Sequence, residues 1–71
     1  MGAGRFVYIE DVEVLHRTDK AVQVRFDGET HWLPLSQIED EGDNLKVGQS
    51  GYTVGITEWI ANQRGIDATD D

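Results

Sequence analysis

The chain has 71 residues, about half a typical domain, which leaves room for one small fold and none for a catalytic domain with its regulator. Six lysines and arginines stand against 14 aspartates and glutamates, a net charge of −8, and with 38% apolar residues this is the balance of a soluble acidic globule. Cysteine is absent, which excludes disulfide frameworks, thiolate nucleophiles and cysteine-based zinc sites.

The stretch Arg5 to Leu15 is rich in β-branched and aromatic residues and alternates on either side of an interruption, which predicts a bent strand. Val7 and Ile9 share one phase and Val12 and Val14 the other, so a one-residue bulge near Glu10-Asp11 would bring all four to one face. Thr18-Asp19 supplies turn chemistry. Lys20 to Phe26 forms the second strand, with Val22, Val24 and Phe26 inward and Ala21, Gln23 and Arg25 outward. Asp27-Gly28 tolerates the positive φ angles of a two-residue hairpin turn, so a third, antiparallel strand starts at Glu29 and runs through Leu33. Pro34 lacks an amide proton and ends it. Leu35-Ser36-Gln37 is expected to form a turn or single 3₁₀ turn, after which Ile38 returns to the core.

Glu39 to Asn44 has the composition of a solvated loop. Two further extended segments are predicted, a short Leu45-Lys46-Val47 and Tyr52 to Ile56, joined by a flexible Gly48-Gln49-Ser50-Gly51 turn. Thr57 can cap a helix over Glu58 to Arg64, closed by Gly65, with Trp59 and Ile60 docked on the sheet. Residues 1–4 and 67–71 are expected to be flexible. The whole predicts one mainly β domain over 1–71: a small SH3-like barrel or rolled antiparallel sheet of four to five strands with a short C-terminal helix. No apolar stretch of secretory length opens the chain, and none approaches the roughly 18 residues of a bilayer span, so a cytoplasmic setting is expected.

The string Trp32-Leu33-Pro34-Leu35-Ser36-Gln37-Ile38, followed after a strand by Trp59-Ile60-Ala61 and Gly65-Ile66, resembles a group of short phage- and plasmid-associated domains of uncharacterised function. The likeness spans Lys20 to Ile66. It implies a mobile-element context in a bacterial or phage-infected host, with some members attached to DNA-processing proteins, and no particular activity. Leu35 stands where such sequences often carry a basic residue, which weakens any inference of phosphate binding.

Catalytic parts are missing. Ser36 and Ser50 lack a nucleophile-elbow pattern, the two histidines have no metal-binding spacing, and the 48–51 turn lacks the lysine of a phosphate loop. The acidic stretch does not have the ligand spacing of a calcium loop. No two of the 14 carboxylates stand out as a catalytic pair, and no substrate cleft of ~300 Å³ is expected beside so small a core. Neither cofactor nor metal is therefore expected.

Trp32 is expected inward as packing, with the neighbouring His31 outward and solvated; an exposed tryptophan could instead stack on a base or fill a partner's pocket. Ser36 either caps its own turn or, with Gln37, is displayed to a ligand. The leading expectation is a non-enzymatic binding module engaging a protein partner, possibly basic, through Gln37, His31, Arg25, Ser36, Glu39, Asp40 and Glu41. Its sharper form is a DNA mimic that occupies a basic groove; the bland explanation of the acidity is solubility. The alternative is a nucleic-acid-binding accessory module using Arg5, Arg17, Lys20 and Arg25 with an exposed aromatic such as Tyr8 or Trp32, and the negative charge disfavours it. No membrane partner is expected.

Overall fold

The computed structural model describes residues 5–66. The flexibility expected of 1–4 and 67–71 falls outside the described residues. Four antiparallel strands form one sheet in the order β3-β2-β1-β4, where β1 is Phe6–Arg17, β2 Ala21–Phe26, β3 Glu29–Pro34 and β4 Tyr52–Thr57. A 3₁₀ turn, Leu35–Gln37, and a second turn, Glu39–Gly42, follow β3, and the helix α1, Glu58–Arg64, follows β4.

The long first strand does two jobs. Its N-terminal half pairs with β4 and its C-terminal half with β2. Between Ile9 and Val12 the register with β4 shifts by one residue, and Asp11 takes φ 58°. This bulge re-phases the alternation, so Val7, Ile9, Val12 and Val14 are all buried on one face. A second bulge, between Val14 and His16, separates the two halves of the β1–β2 ladder. No residue type announces it. It places Arg17 opposite Val22, in the inward phase, and His16 opposite Gln23, in the outward one.

The β2–β3 hairpin closes on Asp27 and Gly28 at φ 52° and 74°, the left-handed pair a two-residue turn needs. Its register is unbroken from Phe26↔Glu29 to Ala21↔Pro34. Val22, Val24 and Leu33 from this hairpin join the four β1 residues, Val54, Ile56, Ile38, Leu45, Ile60 and others in a single apolar core. Ile38 reaches it through a lone bridge to Ile56, the one backbone pairing that links the segment after β3 to β4. The outer strands β3 and β4 do not pair with each other, so the strand ladder does not close into a barrel.

Two expectations are corrected. Leu45-Lys46-Val47 is not a strand: Leu45 is buried, but Val47 is exposed, and the main chain here folds through turns that hydrogen-bond to β1, Gly48 N–H to Val14 O and Val14 N–H to Gln49 O. Trp59 does not dock on the sheet, because the buried stripe of α1 is Ile60 and Ala61, which leaves Trp59 on the solvent side. The solvated stretch 39–44 contains the turn Glu39–Gly42, in which Asp40 and Glu41 take left-handed backbone angles and Gly42 is buried. The helix ends behave as their residues predict: Thr57 Oγ1 accepts from Ile60 N–H, and beyond Arg64 the Ile66 N–H returns to Ala61 O.

Candidate functional site

Residues 31 and 32 are reversed relative to expectation. In the unbroken hairpin register His31 lies opposite the inward Val24, and Trp32 lies opposite the outward Gln23. Trp32 is therefore 44% exposed on the outer face. His31 is half-buried instead of solvated: its ring stacks on Phe26 at 5.3 Å between centroids, and its Nε2 lies 3.1 Å from Glu29 Oε1. The signal was present in the hairpin itself. A two-residue turn with Val24 and Phe26 inward forces the odd positions of β3 inward as well.

The other candidate residues do not converge on one patch. Arg25 projects from the outer face and is paired with Glu13, Nη2 to Oε1 at 2.6 Å. Gln37 faces the helix start, where its Oε1 accepts a 2.6 Å hydrogen bond from Thr57 Oγ1, the same hydroxyl that caps α1. This gives Gln37 a structural task, fastening the 3₁₀ turn to the cap. Glu39 is also engaged, accepting from the Tyr8 hydroxyl at 3.2 Å. Partial burial of the Tyr8 phenol, the negative charge of Glu39 and this hydrogen bond, in that order, raise the phenol pKa above its ordinary value.

The Tyr8–Glu39 pair sits over Gly55, which is opposite Tyr8 in the β1–β4 ladder. A Cβ at position 55 would lie 2.7 Å from Glu39 Oε1 and 2.8 Å from Tyr8 Cε1. The glycine permits that approach, and the pair in turn covers the outer side of β4, where Gly55 is buried.

Ser36, Asp40 and Glu41 remain at the surface. Two surface concavities meet there. One, of about 550 Å³, is lined by Asp40, Glu41, Asp43 and Asn44. The other, of about 410 Å³, lies at the end of β3 and is lined by Asp19, Lys20, Pro34, Leu35, Ser36 and Glu41. Both are open basins on the surface and neither is an enclosed cleft. Among the described residues no three histidines or carboxylates are grouped to hold a metal ion.

The basic strip expected of the nucleic-acid alternative is dispersed. Arg17, exposed at the end of β1, donates from Nη1 to Gly42 O at 2.6 Å and to Leu45 O at 3.0 Å, anchoring the acidic turn. Arg5 lies 3.8 Å from Glu58, and Arg25 holds Glu13. Only Lys20 of the four has no such side-chain partner among the described residues. No helix among the described residues is long and apolar enough to cross a membrane. Comparison with protein-family models, with curated proteins and with solved structures gives no match.

Proposed function

We propose that this domain is a non-enzymatic acidic binding module that engages a basic protein partner, with the phage- or plasmid-associated setting implied by the Trp32 to Ile38 string. The observation that carries the reading is the disposition of charge. Arg5, Arg17 and Arg25 are engaged within the chain, while Asp19, Asp27, Asp40, Glu41 and Asp43 are exposed without an ion pair among the described residues. A field of that sign steers cationic partners and repels phosphate backbones. The outward Trp32 adds an aromatic surface that guanidinium groups favour. In its sharper form the module mimics DNA and competes for a basic groove. The nucleic-acid alternative would draw on Lys20 and on three arginines that already hold partners within the chain.

The test is competition. Protamine is bound to a fluorescently labelled DNA duplex, and the domain is added at low and at moderate salt. Release of free duplex, less complete as salt rises, is the expected result. Binding of the domain to the duplex in the absence of protamine would support the nucleic-acid alternative instead. Arg25, expected among the partner contacts, is tied to Glu13, so Arg25→Ala is expected to leave release intact.

A further inference from the structure

Strand β3 is an edge, with β2 on one side and no strand on the other. In a two-residue hairpin the residues flanking the turn exchange both hydrogen bonds, and the pattern then alternates. Starting from Phe26↔Glu29, the main-chain groups of His31 and Leu33 face β2, and those of Thr30 and Trp32 face away from it. Pro34 ends the edge with a carbonyl and no N–H. Such a row is a ready template for another strand, and nothing among the described residues covers it. Just past Pro34 lies the 410 Å³ basin, with Pro34 and Leu35 as its apolar wall and two carboxylates, Asp19 and Glu41, against one ammonium, Lys20.

We infer that the β3 edge receives an extended segment of a basic partner as an added strand, and that an arginine or lysine of that segment enters the basin at the end of β3. This rests on the proposed basic-partner reading and gives it a location. The main-chain groups of Thr30 and Trp32 supply hydrogen bonds without regard to sequence. The basin supplies selection: an aliphatic stem lies along Pro34 and Leu35, and its cationic head meets Asp19 and Glu41. Trp32 stands on the outer face of the same strand, where a cationic side chain of the added strand can lie against its ring. A second copy of this chain is the poorer occupant, since each copy brings a charge of −8.

The experiment is amide-resolved NMR of the whole chain titrated with an amidated peptide of alternating arginine and threonine, about eight residues long, enough to match a typical strand. Saturable shifts centred on the Thr30, Trp32 and Ser36 amides are expected. Methylating alternate backbone nitrogens of the peptide, on the side that faces β3, is expected to weaken binding about tenfold or more, the equivalent of one or two hydrogen bonds. The double variant Asp19→Asn, Glu41→Gln alters exposed side chains only and is expected to weaken the arginine peptide while leaving a glutamine-threonine control unchanged. Saturable shifts elsewhere, or indifference to backbone methylation, would overturn the edge site and leave the basic-partner reading standing. Absence of binding by this peptide, with protamine still captured, would do the same, and failure of protamine as well would remove both. Concentration-dependent shifts at Thr30 and Trp32 without peptide would assign the edge to a second copy and overturn the inference.

Discussion

Trp32 and Tyr8 carry the clearest consequences at the scale of single residues. Because Trp32 stands half-exposed opposite Gln23, Trp32→Ala removes a cross-strand contact of about 0.2–1 kcal/mol, not the about 3–5 kcal/mol of a buried aromatic. Urea unfolding followed by circular dichroism is expected to show that small loss; a loss several times larger would put the ring in the core. The Tyr8 phenol is shifted upward in the folded state, so the folded chain holds its proton where the unfolded chain has begun to release it. Its contribution is complete below the unfolded value near pH 10 and is lost as pH rises through the higher folded value. The stability difference between the native chain and Tyr8→Phe should therefore shrink above about pH 10. A difference that grows there would contradict the Tyr8–Glu39 contact. Gly55→Ala drives a methyl group into that pair and is expected to cost about 1–3 kcal/mol, the usual range for overpacking.

Elements differ in how much of themselves they disclose in sequence. The first bulge was legible because Val7 and Ile9 are out of phase with Val12 and Val14, and only an extra residue near Asp11 reconciles them with one core. The helix limits were legible too, since Thr57 and Gly65 are residues whose chemistry suits those ends. The second bulge at Leu15 was not: the residues around it are compatible with either phase, and the choice depends on Arg17 reaching the Gly42 and Leu45 carbonyls across the end of the core. That contact, 25 and 28 positions away in sequence, has no local signature around Arg17. The Gln37 amide oxygen accepts from Thr57, a partner 20 positions away that no local pattern reveals. Thr57→Ala removes both the cap and this link, and thermal unfolding should report a loss of about 1–2 kcal/mol, at the upper end of cap deletions. A loss no larger than a few tenths would mean that neither bond contributes.

At the scale of the whole molecule, charge and smallness act together. A domain of this size has few kcal/mol in hand, and a net −8 acts against compaction. Raising ionic strength from about 0.01 M to 0.15 M shortens the screening length from roughly 30 Å to 8 Å. The melting temperature is therefore expected to rise with sodium chloride, and a fall would show that the ion pairs of Arg5 and Arg25 outweigh the general repulsion. The proposed basic-partner reading rests on the same excess of negative charge. The most direct measurement is fluorescence anisotropy of labelled polyarginine and of a labelled DNA duplex, each titrated with the domain over a range of salt. Saturable binding to polyarginine that weakens with salt, with no binding to the duplex, is the predicted result. Binding to the duplex, with polyarginine left free, would contradict the account of an acidic module built for a basic protein.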